Sequence, residues 1–442
     1  MKSIPAHGRD AATILDDLRA RSARDTDWRG GRVFSLVYHA GEEHEELLRA
    51  AHATYASANL LNPMAFASLK QMENELVEMT GRLFHCAGAV GAVTSGGTES
   101  ILVAVAAYRD RARRERPWIR RPELVVPTTI HPAFDKAAHY FGVRLVKVPV
   151  GPDLRADVRA MARAIGWRTI GLVASAPQYP HGLVDPIGEL GELAQKKKLP
   201  LHVDACVGGF ILPWLEKLGR RIPHWDFRVP GVTSISADLH KYGYAGKGAS
   251  LLLWRSIDAM KYQIFVATDF PGGVYASPTM IGTRPGGPVA AAWAAMQSLG
   301  EAGYLALAEK AIGAADRLRD GIAQIPGVAL VGNGSATIVA YAGGTGVDTY
   351  ALADRLEARG WTVDRQHRPA SIHLTVTANH APIVDAYLAD LRAAVADVQR
   401  DPALAKSGSA PMYGMAAKMP IRRLVAGQVR KMITEMYTRR DP

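Results

Sequence analysis

Apolar residues recur at helical spacing through residues 9–25, 42–58 and 66–84, and each stretch predicts a helix. In the second, Leu47, Leu48, Ala51 and Tyr55 fall on one face. From about residue 85 the pattern changes to short apolar runs alternating with helical ones. Six runs predict strands: Leu124–Pro127, Arg144–Val148, Ile170–Ala174, Leu201–Asp204, Thr233–Ser236 and Ser250–Trp254. They are nearly continuous in apolar residues, the pattern of strands covered on both faces. Strand and helix in alternation imply right-handed crossovers and a mainly parallel sheet between helices. Such sheets bind ligands beyond the carboxyl ends of their strands, so chemistry is expected just after strands.

Residues 289–325, rich in alanine, predict one or two helices. Beyond them, Val328–Val331, Thr337–Tyr341, Trp361–Asp364 and Ile372–Val376, separated by helical stretches, predict a smaller α/β domain. A loop from Ser407 to Gly414 then leads into a last helix. The expected organisation is an N-terminal helical segment (1–65), a large domain (66–305) and a small C-terminal domain (306–442).

Composition excludes several classes. The chain of 442 residues is 48% hydrophobic and 21% charged, ordinary for a globular protein and unlike a disordered or fibrous one. The longest uncharged stretch, between Asp320 and Asp348, is interrupted by Gln324, Pro326 and Asn333, and no transmembrane segment is expected. The N-terminal MKSIPAHGRDAAT lacks the apolar core of a signal peptide. Cys86 and Cys206 are too few for a disulfide framework. Together these features predict a cytoplasmic protein. The net charge of +11 gathers in Arg109–Arg121, Lys196–Lys198 and Arg422–Arg440. The first two runs follow helical stretches and lack interleaved aromatics, so they read as solvated helix ends, with no nucleic-acid partner expected.

Four segments carry candidate chemistry, and their order counts for more than any one of them. Thr94-Ser95-Gly96-Gly97-Thr98-Glu99-Ser100 precedes a helical run. Glycines there let backbone N–H groups approach an anion at the positive helix start, with the Thr98 hydroxyl as a further donor. Alone, it reads equally well as a capped turn. His131 follows a strand, where an imidazole could stack on a flat ring, though alone it reads more readily as a structural or surface histidine. Asp204, in His202-Val203-Asp204-Ala205, ends an apolar strand, where a carboxylate needs a partner; a protonated pyridine nitrogen suits it. Lys241, in Ser236-Ala237-Asp238-Leu239-His240-Lys241, stands directly after a strand, placed for Schiff-base chemistry, with Lys247 the nearby competitor. Anion cradle, stacking ring, carboxylate and lysine together match every handle on pyridoxal phosphate.

The stretches TSGGTESI, HPAFDKAAHYFG, PQYPHGLVDPI, LHVDACVGGF, VTSISADLHKYGYAGKG and YASPTMIGTRPGG resemble the pyridoxal-phosphate group II decarboxylase family over about residues 33–440. Within it the chain is most similar to the branch that cleaves phosphorylated sphingoid bases. The resemblance implies an aspartate aminotransferase-like (fold type I) α/β large domain, a smaller C-terminal α/β domain, and a homodimer with active sites at its interface. It makes Lys241 the lysine that carries the cofactor, Asp204 the pyridine partner and His131 the stacking ring. Gly97, Thr98 and His240, beside His202, would serve the cofactor, with Thr283 reaching in from a second subunit. Tyr38, Asn59, Lys247 and Tyr413 stand where the family handles its substrate's phosphate, and Lys241, Lys247 and Tyr413 are its candidates for proton transfer. The implied reaction is retro-aldol cleavage of sphingosine phosphate, or a similar phosphorylated 2-amino-3-hydroxy compound, to a long-chain aldehyde and phosphoethanolamine; the alternative is amino-acid decarboxylation. One position departs. Where the family reads Asn-Pro-Leu-His-Pro, this chain has Asn59-Leu60-Leu61-Asn62-Pro63, and Asn62 can donate a hydrogen bond but carries no charge.

Overall fold

The structure, a computed structural model, describes residues 3–332, 334, 336–418 and 422–438. Its centre is a seven-stranded sheet built from β1 (Val90–Thr94), β2 (Glu123–Pro127), β3 (Arg144–Val148), β4 (Thr169–Ser175), β5 (Leu201–Asp204), β6 (Val232–Ala237) and β7 (Ser250–Trp254). The spatial order is β1-β7-β6-β5-β4-β2-β3. Strands β3, β2, β4, β5 and β6 run parallel, while β7 is antiparallel to both β6 and β1.

All six strands expected in this region are present, and β4 is buried along its whole length, as its unbroken apolar run requires. Strand β1 was not anticipated. Its residues are small, and Gly91 weakens the strand signal. The glycine is needed there: a Cβ would lie 2.3 Å from the Leu252 carbonyl oxygen on β7.

Four helices precede or follow β1: α1 (Ala11–Ser22), α2 (Glu42–Thr54), α3 (Ala67–Leu83) and α4 (Gly97–Glu115). Helix α1 buries none of its residues. The alanine-rich helix Gly286–Ala323 packs on α2 and α3 and breaks only at Gly300 (φ 54°, ψ −173°). The division expected near residue 305 falls inside it.

After a hairpin of β8 (Phe265–Ala267) and β9 (Tyr275–Ser277), also unanticipated, a second sheet forms from β10 (Val328–Leu330), β11 (Ile338–Gly343), β12 (Asp364–His367) and β13 (Ala370–Thr375). Its order is β10-β11-β13-β12, antiparallel throughout. The strand expected at Trp361–Asp364 begins only at Asp364. Trp361 is instead core: it packs against Phe34 and edge-on to Tyr387, and its indole N–H donates to Asp390 at 2.8 Å. Burial of an aromatic overrode its strand propensity. The loop expected at Ser407–Gly414 contains the start of a helix, Ala410–Lys418. Its cap is remote in sequence: the Asp354 carboxylate accepts from the backbone N–H groups of Ser409 (2.9 Å) and Ala410 (3.0 Å).

The N-terminal segment is tied to the small sheet. The Phe34 amide donates to Thr362 O (3.1 Å), and the Thr375 amide donates to Phe34 O (2.7 Å). Phe34, fully buried, stacks on His380 at 4.4 Å. This anchor delivers residues 35–38 to the mouth of the large sheet.

Candidate active site

Ser175 at the end of β4, Asp204 at the end of β5 and Lys241 just past β6 share one cavity of about 520 Å³. It lies where a mainly parallel sheet places its ligands. Lys241 sits in a turn closed by the His240 amide to Ala249 O (3.1 Å) and the Tyr244 amide to Lys241 O (2.9 Å). Its Nζ meets the carboxylate of Asp238 at 2.8 Å. Burial alone would lower the lysine's pKa, but Asp238 and, more weakly, Cys206 and Asp204 hold it above its ordinary value. Asp238 is itself 2% exposed; burial opposes its ionisation, and Lys241 and His240 outweigh burial and keep its pKa low.

Asp204 is nearly buried. Its Oδ1 accepts from the Cys206 amide (3.1 Å) and from the Ser236 hydroxyl (3.3 Å). Behind it lies His202, fully buried between Ser234 Oγ (2.8 Å) and Ser236 Oγ (3.3 Å). Burial pushes the His202 imidazole down to about 4, so it is neutral. His202 therefore does not line the cavity but supports Asp204 through Ser236. The His131 ring does line it, oriented by the Ala133 amide, which donates to Nδ1 at 3.2 Å.

The glycine turn lies against the same residues. A Cβ on Gly97 would stand 2.6 Å from Cys206 Sγ and 2.7 Å from Asp238 Oδ1, and one on Gly96 would stand 3.3 Å from His240 Cε1. Only glycines allow this approach. Thr98 is exposed in the first turn of α4, and Glu99 Oε2 accepts from the Ser95 amide at 2.6 Å. The other oxygen of Glu99 accepts from the Met280 amide at 2.8 Å, tying the loop that carries Thr283 to this turn. Two buried atoms at the site, Asp238 Oδ1 and His240 Nδ1, have no hydrogen-bond partner among the described residues. A polar ligand over this turn would answer both, since buried polar groups are rarely left unpaired.

Tyr38 and Lys247 also line the cavity. Lys247 Nζ sits 5.3 Å from the centre of the Tyr38 ring and donates to Leu36 O (2.6 Å) and His240 O (3.3 Å). Among the described residues no carboxylate pairs with it. Burial, reinforced by the charge of Lys241, lowers its pKa to about 8.

The remaining expected residues lie elsewhere in the chain. Asn59 and Asn62 use their side-chain oxygens on their own loop, accepting from Leu61 N (3.1 Å) and Met64 N (3.0 Å). Their loop adjoins Thr283 through the Leu60 amide to Arg284 O (2.9 Å). Tyr413 packs on Tyr350, from the helix Thr349–Glu357, and on Arg365 and His367 of β12, and is not a cavity wall. Conversely, sequence reasoning passed over Asp238, Tyr179 and Thr375. Asp238 stood in view, three residues before Lys241. Tyr179, in Pro177-Gln178-Tyr179-Pro180, follows β4 as the strand-end rule requires. Thr375 comes from the small sheet and has no local signal.

A lysine and a carboxylate at adjacent strand ends, a ring beside them and a glycine cradle at a helix start define a pyridoxal-phosphate enzyme of the aspartate aminotransferase-like fold. The chain belongs to the pyridoxal-dependent decarboxylase family, whose conserved domain matches residues 2–342. It is 42% identical over 430 residues to sphingosine-1-phosphate lyase 1 of Rattus norvegicus, covering 96% of this chain and 75% of that protein. It is 44% identical over 421 residues to the Arabidopsis thaliana sphingosine-1-phosphate lyase, covering 93% of this chain and 77% of that one. Among solved structures, that of the Burkholderia pseudomallei sphingosine-1-phosphate lyase superposes with a TM-score of 0.87 at 38% identity, covering 95% of this chain and 98% of that chain.

Proposed function

We propose that this chain is a pyridoxal-phosphate-dependent carbon–carbon lyase that cleaves sphingosine-1-phosphate, or a closely similar phosphorylated 2-amino-3-hydroxy compound, to a long-chain aldehyde and phosphoethanolamine. The observation that carries the reading is Lys247. It is a cation within the cavity, beside the cofactor lysine, whose partners are two backbone carbonyls and no carboxylate. A second cation is superfluous to breaking a bond at an α-carbon, but it suits a substrate with an anionic head group.

The cofactor, when bound, supplies the electron sink for cleavage next to the amine-bearing carbon. The chain does the rest. Lys241 would hold the cofactor, Asp204, kept in place by Ser236 and the Cys206 amide, would meet its ring nitrogen, and His131 would cover its ring. The amides at Gly97 and Thr98, with His240, would receive its phosphate. Lys247 and the Tyr38 hydroxyl hold the substrate's phosphate, which fixes the scissile bond against the cofactor. The proton of the 3-hydroxyl leaves, the bond between the second and third carbons breaks, and a proton returns to the second carbon. Lys241 is the cavity base placed for these transfers, since Lys247 is charged while it holds the phosphate and has no lone pair to take a proton; Tyr413 is remote from the cavity within one chain.

We also read the protein as a homodimer. Asn59, Asn62 and Thr283 lie together outside the cavity, and around them Leu61, Met64, Met280 and Ile281 are exposed, Met64 at 88%. An apolar patch carrying site residues is what a second subunit would cover.

Incubation with sphingosine-1-phosphate should release a long-chain aldehyde, with K241R inert. Release of carbon dioxide from amino acids without aldehyde would transfer the assignment to decarboxylation.

A further inference from the structure

The small sheet contributes more than Thr375 to the cavity. Tyr179, on the segment after β4, lines the cavity, and strands β12 and β13 grip it. Its hydroxyl donates to Asp364 Oδ2 at 2.8 Å. Its ring stacks on His373 at 4.2 Å and 27°. The side-chain Nε2 of Gln366 donates to the next carbonyl, Pro180 O, at 2.6 Å. Asp364 and His373 are opposed across the two strands, and His373, fully buried, is held by Thr375 Oγ1 at 2.9 Å.

The carboxylate decides the direction of the Tyr179 bond. The phenol donates to the carboxylate oxygen, so its single proton is spent. What the Tyr179 oxygen can still offer a ligand in the cavity the residue lines is then a lone pair and not a proton. Burial, with Asp364 beside it, keeps the phenol protonated, which preserves that arrangement. Tyr38 differs: no protein acceptor meets its hydroxyl among the described residues, so it is free to donate to a phosphate.

We propose that Asp364 is a positioning residue that makes Tyr179 an acceptor for the substrate's 3-hydroxyl, so that the small sheet selects for and aligns the hydroxyl whose proton must leave. The assignment rests on the lyase reading: with the amine on the cofactor and the phosphate at Lys247 and Tyr38, the 3-hydroxyl is the donor left over. An acceptor-only oxygen rejects a phosphate dianion and welcomes a hydroxyl.

The test compares holoenzyme variants D364A, D364N and Y179F on two ligands. One is sphingosine-1-phosphate, read as kcat/KM for aldehyde release. The other is its 3-deoxy analogue, which has no hydroxyl to lose, read as Kd from the change in cofactor absorbance. D364A and Y179F should each lower kcat/KM by about tenfold or more, the worth of one hydrogen bond near a reacting group, while the Kd of the analogue stays within about twofold. The D364A/Y179F pair should be no worse than Y179F alone. D364N, whose amide can donate to the phenol as well as accept from it, no longer forces the direction of the bond and should recover only part of the activity. Full activity in D364A, additive losses in the pair, or equal weakening of both ligands would overturn the inference and leave the lyase reading standing. A wild-type protein that releases no aldehyde would remove both.

Discussion

Titration of Lys247 offers a direct check on the head-group site. Among the described residues its ammonium meets two backbone carbonyls and the Tyr38 ring and no carboxylate, and burial with the neighbouring Lys241 brings its pKa to about 8. The sign follows from the charge: below that pH the lysine is a cation and attracts a phosphate, and above it the attraction is lost. A group with that pKa is about nine-tenths charged at pH 7 and about one-tenth charged at pH 9. Because kcat/KM reports the free enzyme, it should fall by about tenfold between those pH values. The substrate's phosphate does not confuse the profile, since its second ionisation, near pH 6, is complete by then. Neighbouring groups do not enter the window: His240 is lowered by burial, and Lys241, carrying the cofactor in the assayed enzyme, has no ammonium to titrate. K247M should lose about tenfold or more in kcat/KM at pH 7, the worth of a charge-assisted hydrogen bond, and its profile should be flat from pH 7 to 9. Steady-state aldehyde release in a constant-ionic-strength buffer series measures both. A wild-type profile without the fall, or a K247M profile with the same fall, would refute a phosphate held by Lys247.

Other consequences follow from the same geometry. G97A must place a methyl group against Cys206 Sγ and the Asp238 carboxylate, and should cost about 1–3 kcal/mol of stability with weaker cofactor retention, measured by denaturant unfolding and by absorbance after dialysis. D238A leaves the Lys241 ammonium without its buried partner; a loss of about 3 kcal/mol is expected in urea unfolding, and Lys241 should react with amine reagents at lower pH than in the wild type. Replacing Leu61 and Met64 by acidic residues should yield a monomer by sedimentation, with little lyase activity if Asn59, Asn62 and Thr283 complete a partner's site. Borohydride reduction of the holoenzyme followed by peptide mapping should place the cofactor adduct on Lys241.

How far each feature was legible depends on how local its cause is. The strand-end residues were readable because each sits in one contiguous segment: an apolar run followed by His131, by Asp204 or by the turn to Lys241. Strand β1 was hidden because the close approach to β7 demanded a glycine that mimics a turn. Trp361 misled because burial against Phe34 and Tyr387, both distant in sequence, outweighed local propensity. The helix after Ser409 was missed because its cap, Asp354, lies on another element.

The order of apolar runs, the glycines before α4 and the residue types after β5 and β6 by themselves determined the sheet, the cofactor class and the strand-end place of Lys241, because period and strand-end position are properties of neighbours along the chain. What only the tertiary structure decided was the company those residues keep. It chose Asp238 as the partner of Lys241, demoted His202 to a support behind Ser236, separated Asn59, Asn62 and Tyr413 from the cavity, and brought Asp364 to Tyr179 from the other sheet. Such pairings depend on packing between segments far apart in sequence, and packing is settled by volume, burial and charge across the whole fold.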